Sequence, residues 1–409
     1  MGYSYKSSRG SSVARKYARS GTGQRRNQTQ RTNKRNRGQY IDPSLFVREA
    51  KKPEATEVYE PKHRFADFNL IPLLQKNIAD KGYETPSPIQ DQAIPLALQG
   101  EDVIGIASTG TGKTAAFALP LLQKLLTDKF SKALIIAPTR ELAQQIEKEL
   151  QQLAKNSPLF GVLLIGGSSM TQQLRSLQRR PRIIIGTPGR IKDHLTRKSL
   201  VLHDVNVVVL DEVDRMLDMG FLPDVKNILE CVATERQCLF FSATMDTRIR
   251  ALIDTFTHNP VTVSLKPSSS SDLVHQDVIA YSVKEEKLPK LQALLEQPHV
   301  TKVIVFDDTK YGVERLSKQL VTAGFAANSI HGGKTQGQRQ RALAQFKNDE
   351  ISILVATDVA ARGIDVSGIS HVINFSLPQS YNDYIHRIGR AGRAGETGFA
   401  FTFVEELTR

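Results

Sequence analysis

The sequence predicts an α/β protein: two parallel β-sheets, each flanked by helices, preceded by a disordered basic tail. Three observations carry that expectation. From about residue 65, short β-branched runs alternate with amphipathic helical stretches. The alternation breaks at "SLKPSSSSDLVHQD" (264–277) and then restarts. The positive charge lies ahead of it. Residues 1–40 hold eleven Lys or Arg and no Asp or Glu, so of a formal net charge of +13 only +2 belongs to the other 369 residues. Strand–helix alternation implies a parallel sheet, because a parallel pair needs a long crossover, and a helix lying on a sheet face supplies it.

The tail consists of Ser, Arg, Gly, Gln and Asn with almost no aliphatic residue. Such a segment cannot bury enough apolar surface to offset its ordering entropy and is expected to be disordered. Its cations, interleaved with Tyr3, Tyr5 and Tyr17, suit a phosphate backbone, against the plainer reading of a solubilising arm. Residues 41–62 read as a Pro-punctuated connector, so tail and connector together take 1–62. In the first domain, 63–264, strands are read at "DVIGIA" (102–107), "ALIIA" (133–137), "VLLI" (162–165), "RIIIG" (182–186), "VNVVVL" (205–210) and "CLFFSA" (238–243). Between them, "RELAQQIEKELQQLA" repeats Leu142, Ile146, Leu150 and Leu153 at helical spacing. The Ser run gives a linker over 265–277. The second domain, 278–409, carries "KVIVF" (302–306), "SILVA" (352–356), "HVINF" (371–375) and "FAFTFV" (399–404). The chain stops at Arg409, directly after a predicted strand and without a covering helix, so this domain is expected to be either short or truncated.

Composition narrows the class. A length of 409 residues is enough for about two or three cores. Contents of 40% hydrophobic and 24% charged residues point to a soluble globular chain. No apolar stretch approaches the ~20 residues of a membrane helix, and the N-terminus lacks a signal-type apolar region. Myristoylation of Gly2 wants Ser or Thr where Lys6 stands. Cys231 and Cys238 form no CxxC pattern and read as free thiols of a reducing, cytoplasmic compartment rather than as a metal site.

The strongest chemical signal is "ASTGTGKT" (107–114), between a strand and a helix. Phosphate binding there needs backbone N–H groups free to point at oxygens, hence Gly110 and Gly112. It needs a flexible ammonium, Lys113, for the β- and γ-phosphates and a hydroxyl, Thr114, for Mg²⁺. Ala107 replaces the first glycine of the usual pattern. A phosphate loop also needs an acid for its magnesium at the end of another strand. Asp211 is the first acid after "VNVVVL", and Glu212 beside it can orient and deprotonate an attacking water. An isolated acidic pair would more often be a turn or a cap.

Together these motifs resemble the DEAD-box ATP-dependent RNA helicases over Phe65 to Val404, with "DEVD" (211–214) in place of DEAD. The resemblance implies two RecA-like domains, ATP and Mg²⁺ as cofactors, and RNA as a sequence-nonspecific partner, single-stranded or short duplex. "GYETPSPIQ" (82–90) resembles the adenine-reading motif, with Gln90 on the base and Phe65, seventeen residues before Gly82, stacking on it. Thr109, Gly110, Thr111 and Gly112 with Lys113 and Thr114 cradle the phosphates, and Asp365 reaches the ribose. "PTREL" (Pro138, Thr139, Arg140), "GG" (Gly166, Gly167) and "TPGR" (Thr187, Pro188, Gly189, Arg190) are similar to the RNA-backbone motifs, as are Gln336, Arg339 and Thr357 in the second domain. Close-approach glycines, helix N-termini and arginines are what phosphate contacts require. "SAT" places Ser242 and Thr244 against Asp214 as the coupling element. In "HRIGRAGR" (386–393), His386 and Arg387 join that coupling, while Arg390 and Arg393 act as arginine fingers. Catalysis is thereby assigned to Lys113, Asp211, Glu212, Arg390 and Arg393. Ser376 stands where the family commonly has Asp.

The implied activity is RNA-stimulated ATP hydrolysis coupled to local, non-processive duplex unwinding or RNP remodelling, by a monomer with no membrane role. RNP or ribosome-assembly proteins are expected as partners. A DNA translocase would be stimulated by DNA rather than RNA; an ATP-gated clamp would bind RNA yet release few strands. Read as a protease site, DEVD would require unfolding of a core strand. Val213, where the family has Ala, adds two carbons and is expected to sit in a slightly enlarged pocket without altering the chemistry.

Overall fold

Apolar runs become strands wherever both of their faces can be buried. The computed structural model describes residues 42–50, 59–108, 110–265, 273–361, 366–392 and 397–406; the basic tail and most of the Ser-rich linker lie outside the described residues. The first sheet contains β1 (Val103–Ile106), β2 (Ala133–Ile136), β3 (Gly161–Leu164), β4 (Ile183–Gly186), β5 (Val207–Leu210), β6 (Gln237–Ser242) and β7 (Val261–Ser264). They lie in the order β3-β4-β2-β5-β6-β1-β7, and every pairing is parallel. Its helices are α1 (Pro72–Asp80), α2 (Pro88–Leu98), α3 (Lys113–Thr127), α4 (Arg140–Leu153), α5 (Met170–Gln178), α6 (Pro188–Thr196), α7 (Val213–Asp218), α8 (Leu222–Leu229) and α9 (Thr247–Phe256). Side chains alternate strictly between the two faces along β5, and all of them are buried. Val207 and Val209 enter one core with Ile135 and Phe241, and Val208 and Leu210 enter the other with Ile136 and Phe240. Each such side chain contributes about 1.5–3 kcal/mol by leaving water, which is why these runs show no polar alternation.

The second sheet contains β8 (Val274–Tyr281), β9 (Val303–Phe306), β10 (Ala327–Ile330), β11 (Ile353–Ala356), β12 (His371–Asn374) and β13 (Gly398–Glu405). Their order is β10-β11-β9-β12-β13-β8, again all parallel. Its helices are α10 (Lys287–Leu295), α11 (Lys310–Thr322), α12 (Gln336–Lys347), α13 (Asp358–Ala361) and α14 (Tyr381–Ile388). Two parallel sheets flanked by helices are what the sequence predicts.

Three strands escape the sequence reading: β7, β8 and β10. β8 begins at Val274, inside the stretch read as linker, and pairs with β13 along its whole length. Its polar Gln276 hides it, yet that residue is buried because Tyr384 donates its hydroxyl to Gln276 Oε1 at 2.9 Å. The connector is also more than a spacer. Pro43–Phe46 forms a 3-10 turn capped by Asp42, and Phe46 is buried in the second sheet's core, 4.7 Å from the Tyr384 ring. Arg48 exchanges two backbone hydrogen bonds with Gln276, at 2.9 and 2.8 Å.

The phosphate-loop, "PTREL", "GG", "TPGR", "DEVD" and "SAT" segments lie at or just beyond the C-terminal ends of β1 to β6. In a parallel sheet those ends share one edge, and ligands bind there.

Candidate functional site

The phosphate loop turns from β1 into α3 through two positive-φ glycines, Gly110 (85°) and Gly112 (90°). Gly112 is doubly constrained, because a Cβ there would lie 2.5 Å from Gln90 Nε2. Lys113 is buried and donates Nζ to the Ala107 carbonyl at 2.7 Å. Thr111 donates its hydroxyl to Ser108 O at 2.8 Å, closing the loop on itself. Thr114 follows in the first turn of α3. Thr109 lies outside the described residues.

Beside the loop, β5 ends at the acids. Asp211 is buried, and its Oδ1 has no hydrogen-bond partner among the described residues. Burial pushes its carboxyl up to about 7, with Glu212 adding to the rise and Lys113 opposing it. Glu212 adopts left-handed backbone angles, φ 55° and ψ 54°, a conformation that costs a non-glycine residue about 1–3 kcal/mol. Its Oε2 accepts from Arg215 Nη1 at 2.8 Å, an ion pair buried on both sides. Asp214 Oδ2 accepts from the backbone N–H of Ala243 and of Thr244, both at 3.0 Å, and from the Thr244 hydroxyl at 3.3 Å. Ser242 meets Asp214 differently from expectation: its Oγ accepts from the Asp214 backbone N–H at 3.3 Å and donates to Thr244 O at 2.7 Å. DEVD and SAT therefore form one hydrogen-bonded unit, linked to the phosphate loop where Ala107 N–H donates to Ser242 O.

A magnesium ion fits this donor set. Mg²⁺ is held by one or two carboxylates together with substrate phosphates rather than by an all-protein cage. The orphaned Asp211 oxygen beside the phosphate loop meets that description, and among the described residues no cluster of three or more His, Cys, Asp or Glu could hold a metal alone.

On the side of the loop that faces α2, Gln90 Oε1 caps α2 by accepting from Ser87 N–H at 2.9 Å, and its Nε2 donates to Gly112 O at 3.0 Å. One hydrogen and one lone pair of the amide remain for a ligand. Phe65 is only 7% exposed and stacks on Tyr83 at 5.8 Å, where the sequence suggested an aromatic face open to a base.

The cations expected to meet RNA converge on the same edge. Arg140 fills the space left by Gly166 and Gly167, whose missing side chains would collide with its guanidinium. Thr139 caps α4 with Pro138 before it, and Thr187, Pro188 and Gly189 open α6 just ahead of Arg190. Arg190 donates to Ser168 O at 3.4 Å. Burial lowers the pKa of Arg140, and Arg339 and Arg190 lower it further, so three cations share this ground with Glu141. Gln336 and Arg339 depart from their expected placement. Arg339 Nη2 lies 2.8 Å from Glu141 Oε2, and Gln336 Nε2 donates to Gln144 Oε1 at 2.9 Å, so both bind the first lobe. Thr357 follows β11, with its N–H on Ile330 O at 3.3 Å.

From the second lobe, α14 brings His386 to the acid site. Burial and then the Arg215 charge hold its imidazole below the usual range; Asp214, Asp218 and Arg390 also act on it, and its Nδ1 has no hydrogen-bond partner among the described residues. Arg390 is buried in the next turn. Arg387 does not reach the acids. It is 2% exposed, binds both Asp358 oxygens at 2.5 and 2.7 Å, and donates to Asn374 Oδ1 and Ser376 O. Ser376, the departure from the family's Asp, donates to Asp307 Oδ1 at 2.5 Å, so a carboxylate from β9's end occupies that ground. Asp365 and Arg393 lie outside the described residues. Sequence reasoning missed Asp91, Glu141, Arg215 and Asp358. Glu141 stands inside the quoted "PTREL", but nothing local marks it as a partner for a residue almost 200 positions away.

Comparison with known proteins places both sheets in one family. A model described as DEAD/DEAH box helicase matches residues 87–252, and one described as helicase conserved C-terminal domain matches 286–395. The ATP-dependent RNA helicase CshA of Listeria monocytogenes is 46% identical over 345 residues, which cover 84% of this chain and 66% of that protein. The DEAD-box ATP-dependent RNA helicase CshA of Bacillus subtilis is 45% identical over 341 residues, covering 83% and 69%. The chain thus matches about two thirds of these relatives' length. Among solved structures, S. cerevisiae Dbp5 bound to RNA and ADP BeF3 aligns with a TM-score of 0.74 at 31% identity, covering 84% of this chain and 89% of the other. Mss116p bound to ssRNA and AMP-PNP gives 0.76 at 29%, covering 85% and 76%. No helix among the described residues is long and apolar enough to cross a membrane.

Proposed function

We propose a working cycle for this chain, which belongs to the DEAD-box family of ATP-dependent RNA helicases: its two lobes close over ATP and RNA, melting short RNA duplexes locally, and RNA-stimulated hydrolysis with phosphate loss reopens them. The observation that carries the reading is Asp211, a buried carboxylate with an unpartnered oxygen, beside Lys113 and opposite the helix that bears His386. In this reading the loop 109–114 cradles the phosphates, with Lys113 on the β- and γ-groups. Thr114 and Asp211 would hold magnesium, which when bound neutralises developing phosphate charge. Glu212 orients the attacking water and takes its proton. Arg390, with Arg393, stabilises charge on the transferred group from the second lobe. Gln90 and Phe65 select adenine, and Asp365 the ribose.

RNA lies across Arg140, Arg190, the Gly166–Gly167 turn and the N-termini of α4 and α6, with Thr357 on the second lobe. Gln336 and Arg339 act here by gripping Glu141 and Gln144, which favours lobe closure beside the RNA path. Contacts of this kind read backbone and 2′-hydroxyls rather than sequence, so RNA is preferred to DNA. A protein acting so works as a cytoplasmic monomer on RNA or RNP partners.

Glu212→Gln tests the reading most directly. It should keep ATP and RNA binding while lowering RNA-stimulated turnover by about 10²–10⁴-fold, the usual contribution of a general base. Turnover at the parental rate would remove Glu212 from that role.

A further inference from the structure

Gln90 is followed on α2 by an acid, Asp91, whose side chain is 1% exposed. Its carboxylate accepts four hydrogen bonds from one short stretch of chain. Oδ2 takes the Tyr59 hydroxyl at 2.5 Å and the Lys62 N–H at 2.9 Å; Oδ1 takes the His63 N–H at 3.0 Å and lies 2.7 Å from His63 Nδ1. Both oxygens are thereby filled to their lone-pair capacity. Burial alone would raise this carboxyl, but the bonds from Tyr59, Lys62 and His63 outweigh it and hold it below the usual carboxylate range. Its place in the first turn of α2 also favours the anion.

Neighbours on a helix point about 100° apart. Gln90 therefore faces the phosphate loop, where it binds Gly112 O, while Asp91 faces residues 59–63. Two residues after His63 the chain turns into the 3-10 segment Phe65–Phe68, which Arg64 N–H and Asp67 Oδ2 cap at 2.7 Å. The path from the Asp91 clasp to Phe65 is thus short and fixed at both ends.

We propose that Asp91 is a positioning residue for recognition of the nucleotide base: it clamps Tyr59–His63 to the helix that carries Gln90 and so sets where Phe65 stands. The proposal rests on the reading of Gln90 and Phe65 as the adenine contacts. It predicts a loss in base binding alone, since the acids at the end of β5 are untouched, and a uniform binding loss raises KM while leaving kcat.

The test uses the full chain at saturating RNA. Asp91→Asn preserves shape but turns an amide donor toward groups that are themselves donors. The KM for ATP should rise about 10-fold with kcat within about 2-fold, and the preference for ATP over GTP should fall. Tyr59→Phe removes one hydroxyl from a partly exposed position and should move both quantities the same way by less. Phe65→Ala separates this proposal from the reading beneath it. If Phe65→Ala shifts KM and base preference but Asp91→Asn and Tyr59→Phe do not, the positioning role of Asp91 is overturned. A fall in kcat with unchanged base preference overturns it as well. If Phe65→Ala moves neither quantity, the base reading fails and takes the proposal with it.

Discussion

At the end of β5, Asp211 keeps a buried oxygen without a partner among the described residues, Glu212 holds a left-handed backbone, and Lys113 donates to the Ala107 carbonyl. At the end of β12 the opposite holds. Arg387 is more deeply buried than any of these, yet Asp358, Asn374 and Ser376 satisfy it, with Asp308 at 3.8 Å and the Phe306 ring beneath. Both edges carry buried charge of the kind that is costly unless paired. The first lobe leaves that cost standing, which is sensible only where a ligand will relieve it. The second lobe removes it with its own residues, which suits a brace that holds His386 and Arg390 in place. Local frustration thus separates the edge that binds from the edge that supports.

The comparison can be broken at either edge, and the larger effect belongs to the poised side. Lys113→Ala should lower RNA-stimulated ATP hydrolysis by on the order of 10³-fold, equivalent to about 4 kcal/mol, while shifting the melting temperature little. Steady-state turnover and thermal melting of the same preparation check this. A variant that unfolds rather than merely stalls would show that Lys113 braces the fold. Asp358→Asn should do the reverse. Removing one partner of a buried pair usually costs about 3–5 kcal/mol, and the partial exposure of Asp358 puts the expected loss near about 3 kcal/mol. Denaturant unfolding should register that loss, while turnover per folded molecule falls far less than in Lys113→Ala. Equal losses of stability in the two variants would erase the distinction between the edges.

The same contrast explains what is legible in the sequence. β1, β2, β4, β5 and β6 were legible because burial on both faces leaves an uninterrupted apolar run. β8 was not, since Gln276 and Asp277 interrupt its pattern, and a main partner of the buried amide, Tyr384, lies more than 100 residues away. The site divides likewise. Residues proposed to meet a ligand declare themselves by type and spacing: glycines at the phosphate loop, an acid pair after a strand, arginines beside Gly166 and Gly167. Residues that meet only other residues do not. Asp91, Asp358 and Glu141 each serve a distant partner, and pairing across the fold leaves no local mark. Gln336 and Arg339 illustrate the limit, for their donors were evident but the acceptors, Glu141 and Gln144, were not.

The smallest effect is expected between the acids themselves. Val213 is fully buried among Val208, Met216 and Phe240 on the face of the sheet behind the site, and it offers no polar atom. Its position directly after the strained Glu212 makes it a probe of whether that strain depends on tight packing beneath it. If the core is shaped around valine, Val213→Ala leaves a void and costs about 1–2 kcal/mol, at roughly 0.8 kcal/mol per buried carbon. If valine is overpacked there, the smaller side chain stabilises the protein instead. The sign of the change in denaturant midpoint distinguishes these, and the first is expected. RNA-stimulated turnover should stay within about 3-fold, because the acids and Arg215 keep their partners. A tenfold change would mean that the poised geometry of Glu212 is set from below by packing rather than by its ion pair with Arg215, and the two edges would then differ less in kind than in which neighbours hold them.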